Sequence, residues 1–252
     1  MEIWQAIVLG LVQGFTEFLP VSSSGHLVLL QNWFGIDPEY SMFLTIMLHV
    51  GSLIPVCIVF FKDIIGLFKH PKGLLYLVIA SVPAALVGFL LSDWLDGVFY
   101  GGKYLAPCFL ITALALLLAE LSAKKRPLYK DIDAGNAFMM GVAQAIAVVP
   151  GISRSGSTIA AGCMLGVERG KNANFAFLMS IPVILGSALL EGYEFAKAPS
   201  VDIGVLPLLL GVIAAAVSGY IAVKLMLSLV KKADFKWFSL YLAVLSVILL
   251  II

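Results

Sequence analysis

Two short polar runs interrupt an otherwise apolar chain of 252 residues, and they hold most of the side chains that could do chemistry. The first, from Gln13 to His26, contains Gln13, Glu17, Ser22, Ser23, Ser24, Gly25 and His26. Gln13 and Glu17 are four residues apart, so both project from one face of a helix. Pro20 disfavours a helical Leu19 and predicts a break there. The serines and Gly25 then offer hydroxyls and free backbone N–H groups where a second helix begins, an arrangement that binds anions. His26 stands at the start of that helix, within reach of Ser22, Ser23 or a bound phosphate as base or acid. The second run, from Gln144 to Thr158, contains Ser153, Arg154, Ser155 and Thr158. It sets a guanidinium among hydroxyls before another helix start, and the planar fork of arginine suits phosphate. Singly, each residue has a structural explanation: Gln13 as interhelical glue, the serines as caps, His26 as a satisfied interior histidine. Their density within the two runs argues for a site.

Glu17 and Arg154 are charges without a loop to live in, and charge at membrane depth is costly enough to mark function by default. They could also pair as a structural brace. A carboxylate, a histidine, an arginine, hydroxyls and two helix N-termini together suit cleavage of a phosphoanhydride attached to a lipid. Glu17, with Gln13 as a neutral oxygen ligand, could hold Mg²⁺ or Ca²⁺ if the phosphate oxygens of a substrate complete the shell. Other polar residues carry less weight. His49 lies mid-helix and reads as a hydrogen-bonded interior residue, and Glu191 and Glu194 could line a mouth.

The elements that must position these groups are membrane helices. The chain is 61% hydrophobic and 12% charged, with a mean hydropathy of +1.04, which excludes an ordinary soluble domain. Segments 41–61, 74–92, 104–121, 173–195, 205–230 and 237–252 read as transmembrane helices, the last being the shortest. Shorter apolar segments at 3–19, 24–34, 135–149 and 156–166 flank the polar runs, and none comfortably crosses a core of about 30 Å. Each pair is expected to form a re-entrant hairpin with its polar run at the tip. Residues 1–19 lack a basic region, so no cleavable signal is expected. A net charge of +1 gives no footing for nucleic acid. Cys57, Cys108 and Cys163 lie in apolar segments without metal-ligand spacing.

The chain also repeats itself. Shifted by 131 residues, Gly10 meets Gly141, Gln13 meets Gln144, Ser22 meets Ser153, Ser24 meets Ser155, Gly25 meets Gly156 and Gly35 meets Gly166. The expected architecture is one all-α integral membrane domain, residues 1–252, made of repeats 1–121 and 132–252 joined by a basic loop, 122–131. Each repeat contributes a re-entrant hairpin and three crossings. Three is odd, so the second repeat is inverted relative to the first. Twelve basic residues, among them Lys62, Lys124, Lys130, Arg169 and Lys236, then fall on one side, against Lys103 and Lys197 on the other. The rule that basic loops stay inside puts both termini outside and brings the two tips together within the membrane.

With these motifs the chain resembles the undecaprenyl-pyrophosphate phosphatase family, the bacitracin-resistance phosphatases. The run Gln13–His26, the Pro-Gly-Ile-Ser-Arg-Ser-Gly-Ser-Thr run ending at Thr158 and the Ser-Ile-Pro-Val-Ile-Leu-Gly stretch at 180–186 carry the likeness. The resemblance implies removal of the terminal phosphate of undecaprenyl diphosphate, a divalent cation, a bacterial plasma-membrane location and an active site facing outward. It implies roles for Gln13, Glu17, Ser22–His26, Ser153, Arg154 and Thr158. Many members have Glu where this chain has Gln13, which leaves one charge fewer for a metal. Three routes stay open: Ser23 as nucleophile with His26 as base, direct attack by His26, or water activated by His26. A flippase for an anionic lipid would share the architecture. The acid-phosphatase-like lipid phosphatases need a second histidine downstream, and none follows His70. A homodimer is a candidate assembly.

Overall fold

Proline, serine and glycine set the helix boundaries nearest the polar runs. The computed structural model describes residues 1–99, 101–125, 127–197, 204–230 and 234–251. Arg126, Lys231 and Lys232, and the side chains of Glu191, Glu194 and Lys197, lie outside the described residues. The helices are α1 (Ile3–Phe18), α2 (Ser23–Trp33), α3 (Pro38–Val59), α4 (Phe61–Lys69), α5 (Pro71–Phe99), α6 (Leu105–Lys125), α7 (Ala134–Ile146), α8 (Arg154–Leu165), α9 (Arg169–Lys197), α10 (Val205–Val230) and α11 (Lys236–Ile251). α1 stops where Pro20 forces Leu19 into extended backbone, at φ −77° and ψ 146°. α2 and α8 start behind Ser22 and Ser153, whose hydroxyls accept from the N–H groups of Gly25 and Gly156. Gly35 and Gly166 follow α2 and α8 in left-handed backbone, at φ 64° and 89°, where a side chain would be strained.

α5, α6, α9 and α10 contain stretches long and apolar enough to cross a bilayer, at Pro71–Leu91, Leu105–Lys125, Arg169–Leu190 and Val205–Leu229. α3 passes that test together with α4, from which it bends by 71°; the sequence had shown no separate α4. α11 has 16 residues, about 24 Å at 1.5 Å per residue, and is the shortest of the expected crossings. The outward faces of α5, α6 and α10 present Leu86, Phe89, Leu118, Leu209 and Val217 without protein cover. The protein is therefore a multi-pass, all-helical membrane protein.

Helix starts keep the offset of the sequence repeat. α7, α8, α9 and α11 begin 131 residues after α1, α2, α3 and α6. The packing is reciprocal. α1 lies against α10 and α7 against α5, each being the counterpart pairing of the other, while α3 meets α9 and α6 meets α11. Two glycines permit the close approach. A Cβ on Gly10 would stand 2.2 Å from the Gly211 carbonyl oxygen, and a Cβ on Gly141 would stand 2.4 Å from that of Ala80. These are the same contact at offset 131. In a bilayer, where apolar burial does not drive helix association, such backbone proximity supplies the dispersion that holds helices together.

One end of the bundle gathers charge. The Arg169 guanidinium and the Phe235 N–H both donate to Glu120, and Lys124 spans Glu120 and Asp234. Lys171 pairs with Asp131, and Lys130 forms a single bridge to Val167. Asp234 is held below the usual carboxylate range, first by its hydrogen bond from Lys236.

Candidate functional site

The two polar tips touch. Glu17 ends α1, Ser23 begins α2 and Arg154 begins α8, and these three side chains meet. Ser23 Oγ donates to Glu17 Oε2 at 2.5 Å, and Arg154 Nη2 donates to Glu17 Oε1 at 2.5 Å. Gln13, one turn back on α1, donates through Nε2 to Glu17 Oε2 at 3.0 Å and to Ser52 Oγ at 3.2 Å. The buried carboxylate is thus compensated by a cation and two neutral donors, the condition under which a charge survives burial. The tips are also tied to each other: Ser155 Oγ donates to the Leu19 carbonyl at 3.0 Å, and the Gly151 N–H to Ser24 Oγ at 3.4 Å.

Backbone geometry aims these groups. Ser22 adopts φ 68° and ψ 92°, the only non-glycine residue with positive φ among those described. Such a conformation costs on the order of 1–3 kcal/mol and persists where its surroundings hold it. Here the turn places Ser23 against Glu17 and leaves Ser22 Oγ for the Gly25 N–H. The opposite tip uses Gly151 in left-handed backbone at φ 93°, and the Ser153 N–H donates to Thr112 Oγ1 at 3.0 Å.

A cavity of about 220 Å³ opens on this junction. Glu17, Ser22, Ser23, Ser24, Ser153, Arg154 and Ser155, seven of the residues singled out from sequence, line it together with apolar side chains such as Ile46, Val148 and Ile184. The others lie elsewhere. Gln13 is fully buried behind Glu17, and Gly25 packs against Phe109. Thr158 is fully buried and donates to the carbonyls of Arg154 and Ser155, so its hydroxyl serves its own helix. His26 turns away from the cavity: Nδ1 faces the Ser22 carbonyl at 2.7 Å, and Nε2 lies 2.6 Å from the Tyr241 hydroxyl, with the two rings stacked. A ring nitrogen on a carbonyl must carry the proton, so neutral His26 accepts from Tyr241, and its ring nitrogens hydrogen-bond neither Ser23 nor Glu17.

Two residues given little or no role from sequence line the cavity instead. His49 donates through Nδ1 to the Thr45 carbonyl at 2.7 Å, which satisfies it as an interior residue, yet its Nε2 lies 3.4 Å from Glu17 Oε2. Gln144 lines the cavity from α7. A polar stripe at Ser41, Thr45, His49 and Ser52 on an apolar helix was the available signal for His49. The match of Gln144 to Gln13 at offset 131 was the signal for Gln144.

For a divalent cation the fit is partial. Among the described residues no cluster of three or more His, Cys, Asp or Glu exists. Gln13 Oε1 is buried without a hydrogen-bond partner beside the Glu17 carboxylate, so two side chains offer oxygen ligands. A hard cation takes about six. The donor set suits an ion that arrives with phosphate oxygens of its own. Arg154 Nη1 is likewise buried without a partner among the described residues, here as a donor.

A family model described as bacitracin resistance protein BacA matches residues 6–248. An undecaprenyl-diphosphatase of Carboxydothermus hydrogenoformans is 43% identical over 256 aligned positions, covering 100% of this chain and 98% of that protein. Undecaprenyl-diphosphatases of Bacteroides fragilis and Halothermothrix orenii are 41% and 38% identical, each again covering 100% of this chain and 98% of the relative.

Proposed function

The chain belongs to the bacitracin resistance protein BacA family, and from that premise we propose that it hydrolyses undecaprenyl diphosphate to undecaprenyl phosphate and inorganic phosphate. It thereby recycles a lipid carrier for cell-wall synthesis in the bacterial plasma membrane. One observation carries the reading: a serine hydroxyl on a buried carboxylate whose arginine partner keeps an unpaired donor among the described residues, beside a cavity lined by both polar and apolar side chains. A diphosphate on a prenyl chain calls for both.

In the proposed reaction Arg154 Nη1 and the N–H groups opening α2 and α8 bind the terminal phosphoryl group, where charge is greatest in the transition state. Ser23 Oγ attacks the terminal phosphorus as the bond to the bridging oxygen breaks, leaving undecaprenyl phosphate. The Ser23 proton passes to Glu17 Oε2. His49 Nε2, 3.4 Å away with its other nitrogen already donating, is oriented to share it. Water then attacks the phosphoseryl group, the proton returns to Oγ, and phosphate leaves. A divalent cation, held by Gln13 Oε1, Glu17 and the oxygens of the substrate itself, would neutralise charge on the transferring group. This route is drawn through His49, whose Nε2 faces Glu17, while the ring nitrogens of His26 are engaged by the Ser22 carbonyl and the Tyr241 hydroxyl.

The proposed topology has the two repeats inverted, both termini outside and the site open to the extracytoplasmic side. The gathering of Lys124, Lys130, Arg169, Lys171 and Lys236 at one end of the bundle supports it. Phosphate release from a long-chain prenyl diphosphate, measured on the protein in proteoliposomes, tests the function. Arg154→Ala and Glu17→Ala should lower it by about a thousandfold or more. Lipid movement across the bilayer without phosphate release would instead mark a flippase.

A further inference from the structure

The duplication shows a side chain whose partners have been removed. In the first half Gln13 is consumed internally, with its amide N–H groups on Glu17 and Ser52. The residues 131 positions beyond Glu17 and Ser52 are Val148 and Val183, neither of which can accept or donate a side-chain hydrogen bond. Gln144, the counterpart of Gln13, is accordingly left with both Nε2 and Oε1 unpartnered among the described residues, although it is only 1% exposed. It lines the same cavity as Arg154, and so do Val148 and Val183. A buried amide with no partner carries the full desolvation cost of both its groups, so a partner from outside the chain is the expected remedy.

The neighbouring space has the same origin. Gly219 on α10 is closed in, with a Cβ there meeting Pro55 and Phe18 at 3.0 and 3.1 Å, whereas a Cβ on its counterpart Gly88 on α5 would meet nothing within 4 Å among the described residues. α1 fills its groove as far as Phe18, while α7 stops at Ile146 and leaves the corresponding groove open.

We propose that Gln144 is a substrate-binding residue whose amide N–H donates to a phosphate oxygen of the prenyl diphosphate headgroup, from the opposite repeat to Glu17. The proposal rests on the phosphatase reading for the identity of the headgroup. The carbonyl oxygen of the same amide accepts a hydrogen bond from water bound with that headgroup. Gln144 moves no proton in the reaction, so its contribution is to binding.

The test uses the full chain in detergent or proteoliposomes, comparing wild type, Gln144→Met and Gln144→Glu. Methionine keeps the length and removes the polar atoms, so the ligand-free variant should unfold at the same temperature as wild type or higher. Its KM for prenyl diphosphate should rise about tenfold or more with kcat within about threefold. The thermal stabilisation that wild type gains from a non-hydrolysable prenyl methylenediphosphonate should shrink or vanish in Gln144→Met. Glutamate, which repels the headgroup, should raise KM further and serves if the methionine variant does not fold. Unchanged KM and an unchanged thermal shift in either variant would overturn the proposal, as would Gln144→Met unfolding below wild type with normal KM. A wild type stabilised by the analogue yet releasing no phosphate would sink the phosphatase reading, and the thermal shifts would then still decide the role of Gln144.

Discussion

Glu17 receives Ser23, Gln13 and Arg154 and lies close to His49, whereas His26 is spent on the Ser22 carbonyl and Tyr241. The two histidines are therefore assigned different work. On the proposed route His49 shares a proton with Glu17, so neither alanine nor glutamine should replace it, and both variants should lower kcat by about 10²- to 10⁴-fold. His26 braces Ser22, the strained residue that aims Ser23, so it acts by position. His26→Gln, which can still donate to the Ser22 carbonyl, should keep about ten times more activity than His26→Ala on the scale of one such hydrogen bond. Steady-state kcat for the four variants checks both expectations; a glutamine at 49 as active as wild type would remove His49 from the proton path. The types of these residues were visible in the sequence, but the direction of a side chain on a short helix was not. His26 drew attention because it adjoins the serines in sequence, while His49 reaches Glu17 only through the contact of α3 with α1.

α1 and α7 are the elements on which the site depends, and each is held by a glycine against a backbone carbonyl of the other repeat. Gly141→Ala forces a Cβ to 2.4 Å from the Ala80 carbonyl oxygen, and Gly10→Ala forces one to 2.2 Å from that of Gly211. Backbone cannot step aside as a side-chain tip can. Each substitution should destabilise by about 1–3 kcal/mol or more, seen as earlier thermal unfolding. Gly88→Ala, which meets open space, should unfold at or slightly above the wild-type temperature, since alanine is the better helix former. Equal effects at all three positions would contradict the packing described. Much of this scale was legible: Pro20 ended α1, serines stood at the starts of α2 and α8, and the offset of 131 seen in the sequence reappears in the starts of four helices. The break between α3 and α4 was not, because an apolar run continues through Phe60 and Phe61 and nothing local announces a 71° bend.

At the scale of the whole molecule, two similar halves diverge where their tips meet, one supplying a carboxylate and a serine, the other an arginine. Reciprocal packing of α1 on α10 and α7 on α5 brings those unlike tips to one place, so neither half holds a complete site. The proposed inversion predicts that Lys103→Cys and Lys130→Cys, in a chain lacking Cys57, are labelled by an impermeant thiol reagent from opposite faces of oriented vesicles. Labelling of both from one face would refute that topology. Whether the two tips create a nucleophile at Ser23 is read from a single-turnover experiment. Prenyl diphosphate labelled at its terminal phosphate is mixed with excess protein, quenched in acid within one turnover, and the protein is mapped for label. A phosphoryl group is expected on Ser23 and is absent in Ser23→Ala, whose phosphate release falls by about a thousandfold or more. Label passing directly to inorganic phosphate, with Ser23→Ala retaining near wild-type activity, would contradict it.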